Sequence, residues 1–169
     1  MKAGVHSIEH GTFLSDETLS LMQQKGTYYV PTFTVERQPP ARPEDRDSPI
    51  LAERRRISLP LRNRLTMLAE ARGIPLAAGT DVRYATTDLS MADEALYLQK
   101  AGLPVVRVLQ IITSGSATLL GIANRTGAIK AGLEADFVIL GANPLEGLEA
   151  LRDIRMIVNG GKVAFRTLE

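Results

Sequence analysis

The chain has 169 residues, with 20 Lys plus Arg, 19 Asp plus Glu and a formal net charge of +1, which is the size of one ordinary domain with no charge excess. That balance excludes a nucleic-acid module resting on a basic surface, and it excludes a charged disordered tail. The absence of Cys and Trp excludes a disulfide framework, a thiolate metal site, a Cys nucleophile and a tryptophan stacking platform.

In chain order, residues 5–10 predict a brief strand, since Val5 and Ile8 precede a stop at Gly11. Ser15 with Asp16 and Glu17 predicts a capped helix start, and Lys25-Gly26 its end. Residues 27–33 are β-branched and aromatic and predict a second strand. Residues 36–49 are rich in proline and charge and predict a long loop. Ser48-Pro49 opens a helix with Ile50, Ile57, Leu61, Leu65 and Leu68 on one face, and Pro60 predicts a kink or a break into two helices. Residues 74–81 predict a third strand ending in Gly79-Thr80-Asp81. Ser90 to Asp93 is a capping-box pattern, and the helix it opens runs to Lys100. Leu103-Pro104 starts another helix with Val105, Val108, Leu109 and Ile112 in step, and a further turn or two spans residues 116–120. After residue 123 the pattern changes to short strands at 136–140 and 154–158. Asn159-Gly160-Gly161 then predicts a hairpin into residues 162–165.

Three strand-then-helix units in series predict an α/β fold with a parallel sheet, either an open doubly wound sheet or a closed (β/α)8 barrel. No G-x-G-x-x-G and no phosphate loop is present. His10, Thr32 and Asp81 instead stand at the ends of the three predicted strands, where a barrel carries its chemistry. Three units cannot close a barrel of eight. The chain therefore reads as the last three units (residues 1–122) followed by a small β extension (residues 123–169).

Ile8-Glu9-His10-Gly11 and Gly79-Thr80-Asp81, in that order and at that spacing, resemble the amidohydrolase superfamily, nearest its imidazolonepropionase and Xaa-Pro dipeptidase group. Residues 127–138, Asn143-Pro144-Leu145 and residues 158–163 continue the likeness into the family's accessory β-sandwich. The resemblance implies barrel strands six to eight plus the C-terminal sandwich strands. The family's first-strand His-x-His, bridging Lys and fifth-strand His have no match here. It implies a hydrolase of C–N bonds, acting on a cyclic amide or a dipeptide-like substrate through a divalent metal, with zinc foremost. His10 and Asp81 are the implied metal ligands, Asp81 is the implied catalytic base, and Thr32, Arg83 and Tyr84 are the implied substrate neighbours. Two ligands fall short of the three a catalytic zinc normally takes from protein, so the isolated chain is expected to be inactive. The missing barrel half is expected from the same polypeptide or from a separate chain, and exposed barrel edges make self-association an option. The alternative reading is an inactive fragment.

Three further features receive plainer readings. His6 is read as a surface or packing residue, Glu9 as a structural ion-pair partner on the face opposite His10, and Glu53 to Arg56 as a solvated helix face. The first residues lack a signal-peptide pattern and no run spans a bilayer, so cytoplasm is the default compartment, with no membrane or nucleic-acid partner.

Overall fold

The computed structural model describes residues 4–38, 47–82 and 89–167. Strands β1 (Ser7–Glu9) and β2 (Tyr28–Val30) pair in parallel, with Ser7 opposite Tyr28 and Glu9 opposite Val30. Parallel neighbours need a crossover, and helix α1 (Asp16–Lys25) supplies it. Its Ser15 cap accepts the Thr18 N–H, Asp16 and Glu17 face the positive end of its dipole, and Gly26 closes it at φ 63°. Leu19 and Met22 are its buried side chains.

β2 is shorter than the strand predicted over residues 27–33. At Thr32 the backbone turns left-handed, and a 3₁₀ turn (Phe33–Arg37) follows. The third predicted strand is also reduced. Residues 74–81 meet β2 through one parallel bridge, Tyr29 to Leu76, with the Tyr29 N–H on the Pro75 carbonyl (2.9 Å) and the Ala77 N–H on the Tyr29 carbonyl (3.2 Å). Pro75 has no N–H to extend a ladder, and the Ala78 N–H is taken by the Ser116 hydroxyl (3.1 Å).

Helix α2 (Pro49–Ala71) is one element of 23 residues, so the predicted break at Pro60 does not occur. Ser58, Arg62, Leu65, Thr66 and Ala69 are buried on both sides of that residue. Their packing offsets a proline cost of about 3 kcal/mol in a helix interior. The predicted face holds in its second half, where Leu65 is buried and Leu68 packs against the core, and fails in its first, where Ile50 and Ile57 are exposed. Helix α3 (Met91–Lys100) begins with the expected capping box of Ser90 and Asp93. Helices α4 (Val105–Gln110) and α5 (Ser116–Leu119) are joined by a π turn (Ile111–Gly115), so the two separately predicted helical pieces are continuous. The Ser116 hydroxyl donates to the Ile111 carbonyl (2.8 Å) within that wider turn.

The C-terminal part forms an antiparallel sheet of β3 (Phe137–Leu140), β4 (Ile154–Asn159) and β5 (Lys162–Arg166), in the order β3-β4-β5. Gly160 and Gly161 both have positive φ, as a two-residue turn that pairs Asn159 with Lys162 requires. A 3₁₀ turn (Leu148–Arg152) ties this sheet to the helices. Leu148 joins the core formed by Leu19, Met22, Tyr29, Phe33, Leu76, Leu98 and Ile111, and the Arg152 guanidinium meets the Asp93 carboxylate at 2.7 Å. Among the described residues no helix is long and apolar enough to cross a membrane.

Candidate active site

Among the described residues, three non-glycine residues have positive φ: His10 (64°), Thr32 (50°) and Asp81 (50°). Such torsions are uncommon outside glycine, and for a β-branched residue such as Thr32 they are an outlier. Each follows a strand or strand-like segment, and all three border one cavity of about 300 Å³. Glu9, Val30, Ala78, Gly79, Ser116 and Leu119 complete much of its wall.

The His10 backbone is held at both ends. Its N–H donates to the Val30 carbonyl (2.9 Å), and its carbonyl accepts the Tyr29 hydroxyl (3.1 Å). Gly11 leaves room for this: a Cβ there would stand 2.8 Å from the Tyr29 ring and 2.9 Å from Leu14. Burial pushes the Tyr29 phenol up to about 12, against the lowering influence of Arg62 and Thr66. The phenol therefore stays a donor to His10 throughout the physiological range.

His10 Nδ1 lies 2.5 Å from the Thr32 hydroxyl oxygen, which itself donates to the Pro31 carbonyl (2.7 Å). A hydroxyl has one hydrogen. Once that hydrogen goes to Pro31, Nδ1–H must be the donor to Thr32, and this leaves Nε2 unprotonated in the neutral ring. Nε2 faces Asp81 Oδ2 at 3.6 Å, beyond hydrogen-bond range. Both side chains are about half exposed, so a cation arriving from solvent would meet the two electron-rich atoms together. Their separation is close to the roughly 3.4 Å edge of a tetrahedral zinc shell with ligands about 2.0–2.2 Å from the metal. The donor set thus fits two ligands of a divalent ion, with Thr32 orienting the imidazole from its other nitrogen. Among the described residues no three His, Cys, Asp or Glu side chains converge to complete such a shell.

Of the other expected residues, Thr32 is 3% exposed and its hydroxyl is engaged, so it stands behind His10. Arg83 and Tyr84 lie outside the described residues. Glu9 departs from its expected place: it takes the Ser7 hydroxyl (2.5 Å), makes no ion pair among the described residues and borders the cavity. The left-handed turn at His10 ends the strand alternation that had assigned Glu9 to the opposite face. The Glu53–Arg56 cluster also divides. Glu53 and Arg56 pair at the surface (2.7 Å), while Arg55 reaches the Gln38 carbonyl (2.6 Å) and Arg54 the buried Glu36 (3.7 Å).

Sequence reasoning missed the layer beneath the cavity. Arg62, Glu36, Gln38 and Glu94 are all buried there, and the Gln38 side-chain amide donates to the Asp81 carbonyl (2.7 Å). The signal available was a charged side chain in step with buried small and apolar ones, as Glu94 is with Ala95 and Leu98 on α3.

The amidohydrolase family model matches residues 1–164, and the chain belongs to that family. An uncharacterized protein of Mycobacterium tuberculosis is 30% identical over 164 residues, which is 96% of this chain and 43% of that protein. The ochratoxinase of Aspergillus niger is 25% identical over 177 residues, covering 96% of this chain and 34% of that enzyme. Among solved structures, a Xaa-Pro dipeptidase with methionine bound in its active site superposes with a TM-score of 0.81 at 29% identity, over 98% of this chain and 41% of the dipeptidase. The chain therefore spans about two-fifths of the length of these relatives, or less.

Proposed function

We propose that this chain supplies part of the active site of a metal-dependent hydrolase that cleaves C–N bonds in cyclic amides or dipeptide-like substrates. Residues 1–122 are read as the last three βα units of a (β/α)8 barrel, and residues 123–169 as the C-terminal strands of an accessory β-sandwich. The observation that carries this reading is the convergence of His10, Thr32 and Asp81, each in a left-handed turn at a strand end, on one cavity. Active-site strain of this kind costs about 1–3 kcal/mol per residue and persists where the surrounding structure imposes it. The family match and the likeness to a dipeptidase support the same chemistry.

His10 Nε2 and Asp81 would hold the divalent ion, with zinc the foremost choice for a nitrogen and a carboxylate ligand. When bound, such an ion lowers the pKa of a coordinated water to about 7. Thr32 keeps the imidazole turned with Nε2 toward the cavity. Asp81, open to solvent, accepts a proton at its carboxylate and can return it to the departing nitrogen. The further ligands would come from the rest of the natural polypeptide or from a partner chain, and the 169 residues alone are read as inactive.

The test is hydrolysis by the complete natural polypeptide of a panel of X-Pro dipeptides, N-acyl amino acids and cyclic amides. Asp81→Asn should lower kcat by about 10²–10⁴-fold with the fold intact, as loss of an acid–base group does. Equal turnover by D81N would remove Asp81 from the chemistry.

A further inference from the structure

The left-handed turn at Thr32 is gripped from both sides by buried opposite charges. Arg62, 2% exposed, donates from Nη1 to the Thr32 carbonyl (2.8 Å) and the Pro31 carbonyl (3.3 Å). Its Nε donates to the Thr12 hydroxyl (3.1 Å) and its Nη2 to Glu36 (2.7 Å), so these four bonds engage four of the five guanidinium N–H donors. Glu94, 0% exposed on α3, accepts the Phe33 N–H (2.9 Å), the Thr34 N–H (2.8 Å) and the Thr34 hydroxyl (2.6 Å). Successive N–H groups after a left-handed residue form a concave anion site. Here the protein's own carboxylate fills it.

Buried charges of this kind are poor devices for stability alone, because desolvation consumes much of what the pairing returns. What they do provide is geometry. The carbonyls of residues 31 and 32 are drawn toward α2, and the N–H groups of residues 33 and 34 toward α3. Between them Thr32 has little freedom, and its hydroxyl is delivered to His10. We propose that Glu94 and Arg62 are positioning residues: by fixing the Thr32 turn from two helices, they hold the His10 imidazole with Nδ1–H on Thr32 and Nε2 bare toward Asp81. This rests on the reading of His10 Nε2 as the working nitrogen of the site.

The experiment uses the complete natural polypeptide, labelled with ¹⁵N at histidine and freed of metal by chelation, at mildly alkaline pH, with His10→Gln to assign the signal. The ratio of Nδ1–H to Nε2–H tautomer at His10 is the readout, one that general loosening of the fold would not shift selectively. Wild type should show predominantly Nδ1–H. Thr32→Val should lower the ratio about fivefold, as loss of one ordinary hydrogen bond does. Glu94→Gln should lower it comparably, with circular dichroism unchanged, and the double variant should lower it no further, because both act through one contact. A ratio in folded E94Q within about twofold of wild type would overturn the proposal, as would a wild-type His10 lacking Nδ1–H. Should E94Q not fold, Thr34→Val removes one of the three donors to Glu94 without exposing a charge; a fall in the ratio supports the proposal and an unchanged ratio overturns it. Addition of Zn²⁺ to wild type separates the two claims: a His10 Nε2 resonance indifferent to zinc refutes the metal reading, while the E94Q result still decides the positioning.

Discussion

His10, Thr32 and Asp81 were visible in the sequence as polar residues closing apolar runs, because a strand's end is a local property. Their torsions were not visible, since a left-handed turn at a non-glycine residue is imposed from outside. Asp81 is the most exposed of the three and so the simplest to probe. In the complete natural polypeptide, Asp81→Gly relieves its φ of 50° and should leave stability unchanged or raised by up to about 1 kcal/mol while removing the proposed hydrolysis; urea unfolding and turnover of the same sample check both halves. Marked destabilisation would mean that the carboxylate serves the fold. Tyr29 offers a pH test. Its folded pKa, raised to about 12 against about 10 for a free phenol, means that its contribution is complete below pH 10 and is lost as pH rises through 12. Tyr29→Phe should remove that alkaline loss from the stability profile and cost about 1 kcal/mol at pH 7 through the vacated His10 carbonyl.

At the scale of elements, caps and turns were legible wherever a few adjacent residues determine them. The Ser15 cap, the Ser90–Asp93 box and the Gly160-Gly161 hairpin all formed where their residues predicted. What the sequence concealed was tertiary in origin: α2 running through Pro60, the π turn before α5, and strand pairing at residues 74–81 reduced to a single bridge. The π turn brings Gly115 so close to residue 76 that a Cβ would stand 2.8 Å from the Leu76 carbonyl oxygen. Gly115→Ala should therefore destabilise by about 1–3 kcal/mol in urea unfolding, the usual range for overpacking. Asp93 has two tasks, capping α3 and receiving Arg152. Burial opposes its charge, but the Arg152 and Ser90 hydrogen bonds outweigh it and hold the carboxyl below its ordinary value. Its contribution is therefore present above about pH 4 and is lost as pH falls through the lower folded value. Asp93→Asn keeps an acceptor for the Ser90 N–H but loses the charge that meets the half-exposed Arg152, so it should cost about 0.2–1 kcal/mol at pH 7, and the gap from wild type should narrow in acid.

For the whole molecule, the α/β class followed from the strand–helix alternation, and the family from the order of short motifs, none decisive alone. The layer that holds those motifs in place did not, because Arg62 and Glu94 lie in helices whose other residues give no sign of what they will meet. That layer joins β2, α2 and α3 beneath a cavity to which this chain contributes two candidate ligands. The proposed function requires His10 and Asp81 to bind one metal ion together. Its most direct test is zinc affinity, measured by competition with a chromophoric chelator, for the complete natural polypeptide and its His10→Gln and Asp81→Asn variants. Each variant should bind zinc at least about tenfold more weakly, the scale on which even outer-shell partners of a metal matter, with folding unchanged. Unaltered affinity in both variants would contradict the proposed function and place any bound metal elsewhere.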